Sequence, residues 1–88
     1  MTASNTFNAP ASVWALSYTM QQQQAYICSI LGIYDTLPKA RKAAIRCVSD
    51  MLLKGYTIIS QTPHLRWTLH NAELNRNIDV YIEPRNIL

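Results

Sequence analysis

Residues 25–55 decide the fold, and they read AYICSILGIYDTLPKARKAAIRCVSDMLLKG. The first ten of these residues are rich in β-branched and aromatic side chains, which pack well in a pleated strand. Asp35 and Thr36 then supply side chains that cap a helix, and Pro38 suits a first helical turn. Gly55 stands where the helical pattern ends. The stretch therefore predicts a strand that runs directly into one helix.

The segment 37–54 has the apolar periodicity of a helix that covers a sheet. At about 100° per residue, its apolar side chains fall within an arc of roughly 160°. They are Leu37, Ala40, Ala44, Ile45, Cys47, Val48, Met51 and Leu52. The charged side chains on the opposite side are Lys39, Lys42, Arg46 and Asp50. Arg41 is the exception, because it lies inside the apolar arc.

Two strands are predicted before this helix. Residues 12–19 alternate large aromatic or aliphatic side chains with smaller ones, which is typical of a strand. Residues 25–34 form the second strand, and the polar run 21–24 connects the two as a hairpin. The residues expected in the core are Trp14, Leu16, Ile30, Val48 and Met51.

Three more strands are predicted after the helix, because alternating segments are separated there by turn residues. They are 56–61, 65–70 and 77–83. The resulting ββαβββ order predicts an α+β fold, in which one amphipathic helix packs on a face of a small antiparallel sheet. A single domain is expected over residues 12–88, after a flexible N-terminal arm at residues 1–11.

Residues 20–31 also admit a second interpretation. Glutamine is a good helix former, so this segment is also consistent with a buried helix. The chain would then contain three helices followed by a hairpin, which is the winged-helix order. That architecture would favour DNA binding, but the alternation in 12–19 favours the strand interpretation.

The composition limits the class of protein. Apolar residues make up 49% of the 88 residues and charged residues 15%, which is typical of a folded domain rather than a disordered tail. The net charge of +3 permits an anionic partner but falls short of a dense basic surface for nucleic acid. A small core often benefits from a second subunit. A homodimer is therefore expected, with strand 77–83 or the tail 87–88 at the contact.

The chain is expected to be cytoplasmic, in the producing cell or in a host. It has no apolar run of the ~18 to 20 residues that span a bilayer. Residues 1–11 lack the basic start and long apolar run of a secretory signal. Cys28 and Cys47 lie in apolar surroundings, so we expect two buried free thiols in a reducing compartment.

No motif for catalysis, a cofactor or a metal is found, so the chain is predicted to be no enzyme. Cys28, Cys47, His64 and His70 lack the short spacings of structural zinc sites. The two glycines of the chain cannot form a phosphate-binding loop, and the carboxylates show no clustered spacing.

The most concentrated charge lies on the predicted helix. The four basic residues are Lys39, Arg41, Lys42 and Arg46. They are candidates for binding an acidic protein surface or the phosphates of nucleic acid, although a solvated outer face is the simpler explanation. Arg41 is also a candidate to pair with Asp79 or Glu83 across the edge between helix and sheet.

Residues 30–40, which read ILGIYDTLPKA, carry a further pattern. A strand ending in Gly-x-Tyr-x-Thr runs into a helix bearing alanines, and a strand rich in Trp and Tyr precedes it. This arrangement resembles small uncharacterised phage and viral proteins. The resemblance implies an accessory or host-takeover role, including inhibition of host defence, and it brings no catalytic residues.

Together these observations predict a small non-enzymatic binding module that acts on a protein partner or on a second copy of itself. The alternative is a nucleic-acid-binding regulator that uses the basic face of the helix at 37–54. The two functions differ in the partner that the basic residues would contact.

Overall fold

The computed structural model describes residues 13–86, which form five strands and one helix in the order ββαβββ. The strands are β1 (Val13–Gln22), β2 (Ala25–Tyr34), β3 (Thr57–Thr62), β4 (Arg66–Asn71) and β5 (Arg76–Arg85), and the helix is α1 (Leu37–Leu53). This order confirms the predicted α+β fold. The winged-helix alternative is wrong, because residues 20–31 belong to two paired strands and the turn between them. The arm predicted at 1–11 lies outside the described residues.

The five strands form one open antiparallel sheet in the order β2-β1-β5-β4-β3. β5 lies at the centre, where β1 pairs with one of its edges and β4 with the other. The expectation that residues 77–83 supply a free edge for a dimer is therefore wrong, since both edges of this strand are paired. The tail 87–88, the other expected contact, lies outside the described residues. The edge strands are β2 and β3.

The two faces of the sheet have different side chains. On the helix side, which packs against α1, the side chains of β1 are Trp14, Leu16, Tyr18 and Met20. Those of β4 and β5 on the same side are Trp67, Leu69, Ile78, Val80 and Ile82. On the open side, Arg66, Thr68 and His70 of β4 lie opposite Tyr81, Asp79 and Asn77 of β5. The alternation predicted for residues 65–70 is therefore confirmed for 66–70, whereas Leu65 belongs to the preceding turn and is exposed.

The core lies between α1 and the centre of the sheet. Ala40, Ala44 and Val48 are the buried residues of the helix, and their small size permits close approach to the strands. Leu69 and Val80 are the largest fully buried side chains beneath them. Leu16 and Val48 are buried as predicted, while Trp14 and Met51 pack against the core and are only partly buried.

Two predicted members of the apolar arc are exposed. Ile45 and Leu52 lie on the flank of α1 that is farther from β2, and their side chains are largely accessible. The buried stripe of the helix is therefore narrower than the arc predicted from its periodicity, because only the side chains directly above the sheet are covered.

Ile30 was expected in the core, but it lies on the open side of β2 and is 51% exposed. The reason is a β-bulge. Leu16 pairs with Gly32 and Ser17 pairs with Ile30, so Leu31 is an extra residue in β2. An extra residue reverses the alternation beyond it. Ile30 therefore points away from α1, and Leu31 points towards it.

Local signals define both ends of α1 as predicted. The Thr36 hydroxyl accepts a hydrogen bond from the Lys39 backbone N–H at 3.3 Å, which is the usual role of an N-cap residue. At the other end, the Lys54 N–H donates to the Met51 carbonyl at 2.9 Å. Gly55 follows with a φ of 96°, a conformation that favours glycine. The helix therefore begins and ends where the sequence places it.

The two cysteines are free, but only one resembles the predicted buried thiol. Cys28 is exposed, because it lies on the open side of the edge strand β2. Cys47 is half-buried beside the core, and burial raises the pKa of its thiol. The prediction of two buried thiols is therefore wrong for Cys28.

Candidate functional site

β2 is an edge strand whose only protective feature, within residues 13–86, is the bulge at Leu31. It pairs with β1 on one side, and no described strand pairs with its other side. Its ten residues include no charged residue and no proline, and eight of them are exposed. Natural proteins usually protect a long edge with charges, proline, a bulge or a covering segment. The outer edge of β2 therefore offers backbone N–H and C=O groups to a further strand.

Five large apolar side chains of β2 are between 45% and 65% exposed. They are Tyr26, Ile27, Ile30, Leu31 and Ile33. The register with β1 places Tyr26, Ile30 and Ile33 on the open side, and Ile27 and Leu31 on the helix side. The apolar surface thus continues around the edge from one face of the sheet to the other. A partner that covers it must approach along the edge itself.

A groove runs between β2 and α1 on the helix side. Its larger part has a volume of about 380 Å³, and an adjoining part has a volume of about 230 Å³. Tyr34, Ala43 and Arg46 line both parts, so the two form one continuous groove, called here the β2–α1 groove. Its floor is apolar and consists of Leu16, Leu31, Tyr34, Cys47 and Met51.

Gly32 makes room for the aromatic ring on this floor. A Cβ atom at position 32 would lie 2.7 Å from the Oη atom of Tyr34 and 2.9 Å from its Cε2 atom. These distances are shorter than real contacts, so the ring could not lie across β2 if residue 32 had a side chain. Gly32 and Tyr34 together therefore shape one end of the groove.

Charged side chains of α1 and of the following residue, Lys54, form the rim of the groove. They are Lys39, Lys42, Arg46, Asp50 and Lys54. Lys39 pairs with Asp35 at 3.0 Å, and this contact lowers the pKa of the exposed Asp35 carboxyl group. Within residues 13–86, Lys42, Arg46 and Lys54 form no salt bridge. Asp50 is the only carboxylate among these rim residues. With Lys39 neutralised by Asp35, three cations and one carboxylate remain, so the rim has a net charge of +2.

The structure brings three of the four predicted binding residues to this rim, namely Lys39, Lys42 and Arg46. Arg41 is not among them. Helical spacing places it across the buried row of alanines from the groove, where it is half-buried. Its Nε atom is buried and has no hydrogen-bond partner among the described residues.

Arg41 pairs with neither Asp79 nor Glu83, which were its candidate partners from the sequence. Asp79 pairs with Arg66 and Glu83 pairs with Arg85. Both carboxylates belong to the open side of β5, whereas Arg41 belongs to the helix on the other face. The thickness of the sheet separates the groups.

A second group of polar side chains lies on the open side, where sequence reasoning did not find it. The Asp79 carboxylate accepts hydrogen bonds from Arg66 at 2.5 Å and from Thr68 at 2.6 Å. This contact raises the pKa of Arg66, whose guanidinium also lies 5.9 Å from the centre of the Tyr81 ring. These groups satisfy one another, so they stabilise the pairing of β4 with β5. Only the strand register reveals them, because they are distant in sequence.

The two histidines do not take part in a cluster of reactive side chains within residues 13–86. His70 lies 2.6 Å from the Asn77 side-chain oxygen, and His64 belongs to the β3–β4 turn with a φ of 66°. Among residues 13–86, no three His, Cys, Asp or Glu side chains lie close enough together to hold a metal ion. No helix in this part of the chain is both long and apolar enough to cross a membrane.

Comparisons with known proteins add no relative. No family model matches the chain, and neither a curated protein nor a solved structure matches it. Its function must therefore be inferred from the edge of β2 and from the β2–α1 groove.

Proposed function

We propose that the chain is a small non-enzymatic protein-binding module that adds a strand of its partner to the free edge of β2. The observation that carries this proposal is the ten-residue, charge-free edge strand with its exposed apolar side chains. In strand addition, main-chain hydrogen bonds to an exposed edge supply affinity, and pockets for alternate side chains supply specificity. β2 has both features, since the β2–α1 groove provides the pocket.

The exposed side chains support the same function. Scattered apolar residues are normal on a protein surface, but a continuous apolar patch indicates an interaction site. On β2 the exposed side chains follow one another along a single strand and occupy both faces of the sheet. A strand that pairs with β2 would cover them together with the open backbone groups.

The proposal also includes a biological setting. The resemblance of residues 30–40 to phage and viral proteins supports an accessory role, in which the partner is a host protein such as a component of host defence. A second copy of the chain is the other protein partner that suits this edge, because two β2 strands can pair about a two-fold axis.

The test is phage display. Random ten-residue peptides displayed on phage are selected for binding to the immobilised protein. Selected peptides should slow the amide hydrogen exchange of β2 but not that of β3, the other edge strand. Ile30→Lys should abolish their binding, because a charge on the edge is how natural proteins block pairing. Ile58→Lys is the control, since Ile58 is an exposed isoleucine on β3.

Selected peptides that protect β3 or α1 instead of β2 would contradict the proposal. Equal loss of binding in Ile30→Lys and Ile58→Lys would also contradict it, because the effect would then not belong to one edge.

Nucleic-acid binding is the second candidate, favoured by the three rim cations that form no salt bridge within residues 13–86. Contacts of Lys42, Arg46 and Lys54 with phosphates would give a log–log slope of affinity against salt of about −3. We expect no such binding at physiological salt, because the net charge is only +3. Micromolar duplex binding with that slope would favour this candidate instead.

A further inference from the structure

We propose that the segment added to β2 is an extended acidic strand, in which acidic and apolar side chains alternate. This inference rests on the proposed function, because it names the chemistry of the partner that the edge of β2 accepts. It follows from what lies on each side of the position that an added strand would occupy.

An added strand would lie about 4.8 Å from β2 and would continue the sheet. Its side chains would point alternately to the two faces. Every second side chain would therefore enter the β2–α1 groove on the helix side. The remaining side chains would lie on the open side, beside Tyr26, Ile30 and Ile33.

The helix side requires acidic side chains. The groove is bounded there by Lys42, Arg46 and Lys54, with Asp50 as the single carboxylate of the rim. Long basic side chains can lay their aliphatic stems on an apolar floor and extend their charged ends towards a ligand. Glutamate side chains of an added strand would meet these ends, and their own methylene groups would cover the floor.

The open side requires apolar side chains. Tyr26, Ile30 and Ile33 are exposed there and form the apolar border of this face. Cross-strand pairs between aromatic and β-branched side chains stabilise such a face. Valine, isoleucine or threonine at the alternate positions would supply these pairs.

A second copy of the chain meets the requirement less well. A two-fold axis between paired β2 strands would place both helices on the same face of the joined sheet. The two basic rims would then border one shared groove, and their like charges would repel each other. β2 has no acidic residue to offset this repulsion, and residues 1–12 of the chain have none either. An acidic segment of another protein is the complementary occupant.

The experiment uses three acetylated ten-residue peptides that match the length of β2. The first has glutamate at every second position and valine or threonine at the others, and the second and third replace glutamate with glutamine or lysine. Fluorescence anisotropy should show binding of the glutamate peptide, about tenfold weaker binding of the glutamine peptide and no binding of the lysine peptide.

Charge variants of the rim provide the controls. The double variant Lys42→Glu/Arg46→Glu should weaken the binding of the glutamate peptide by about tenfold or more. Asp50→Asn should strengthen this binding, because it removes the carboxylate of the rim. Arg85→Glu is a single charge reversal away from the groove, since Arg85 is exposed and lies on the open side of β5, where it pairs with Glu83. It should leave the affinity unchanged, and circular dichroism would verify that every variant is folded.

Salt separates the acidic segment from a second copy. Binding of the glutamate peptide should weaken as salt rises, because salt screens the attraction. The self-association of a dimer paired through β2 should instead become tighter as salt rises, because salt screens the repulsion between the two basic rims. Dimerisation that increases with salt, together with no binding of the glutamate peptide, would overturn the inference in favour of a second copy.

The failure of this inference is distinguishable from the failure of the proposed function. Equal affinity for the glutamate and glutamine peptides, with β2 amides protected by both, would overturn the acidic chemistry and leave strand addition intact. Protection of no β2 amide by any peptide, selected or designed, would overturn both.

Discussion

At the scale of single residues, the site depends on positions whose importance is not visible from residue type alone. Gly32 allows the Tyr34 ring to lie across the helix side of β2. Leu31 is an extra residue that reverses the alternation of the strand. The strand character of residues 25–34 could be predicted from their composition, but the bulge could not. A bulge depends on the pairing with β1, which is a tertiary contact.

Gly32→Ala should displace the Tyr34 ring. The new Cβ atom would lie 2.7 Å from the Oη atom of the ring, so the side chain must move away from the groove floor. Because these atoms are the far end of a half-buried side chain, we expect a loss of only about 1 kcal/mol in the free energy of unfolding, at the low end for overpacking. Urea denaturation would measure it. Ser29→Ala is the control, because Ser29 is an exposed residue of the same strand. An equally small effect for both variants would show that Gly32 is not required.

The two thiols should differ in reactivity. Cys28 is exposed, whereas burial raises the pKa of Cys47 and so lowers its thiolate fraction at neutral pH. A chromogenic disulfide reagent should label the native protein in one fast and one slow phase. Cys28→Ser should remove the fast phase. The slow phase should accelerate as the pH rises, because the Cys47 thiolate forms only above its usual pH range. Fast labelling that survives in Cys28→Ser would contradict this assignment.

At the scale of elements, local signals determined what could be predicted. The helix required only its own caps and periodicity, so α1 was predicted closely from 37–54. The position of each strand in the sheet could not be predicted in this way. β5 alternates in the same manner as an edge strand would, but its neighbours place it at the centre. Strand order depends on long-range pairing, for which alternation carries no information.

Thr36→Ala should weaken α1. The Thr36 hydroxyl is the N-cap acceptor for the Lys39 N–H, and alanine cannot replace it. Loss of an N-cap typically costs about 1 kcal/mol, which thermal or urea unfolding would measure. Ser49→Ala, at an exposed position within the helix, is the control and should not destabilise the protein. Destabilisation by Ser49→Ala alone would contradict the role of Thr36 as the cap.

At the scale of the whole molecule, the strand order leaves the outer sides of β2 and β3 without a strand partner within residues 13–86. α1 connects β2 to β3 and covers the centre of one face, so the core forms there. β2 lies at the border of this covered region, and most of its apolar side chains remain accessible. The basic residues of α1 were identified from the sequence, but their position above β2 was not. That position depends on how α1 crosses the sheet. It brings the basic residues of α1 next to the open edge of β2, so that the two form one candidate site.

The most direct test of strand addition is to measure, by NMR, the nuclear Overhauser contacts between the protein and the bound alternating glutamate peptide. We expect cross-strand contacts between backbone protons of the peptide and those of β2, in a regular register over several residues. We also expect glutamate side chains near Lys42 and Arg46. A peptide that contacts only the side chains of α1, or that pairs with β3, would contradict the account.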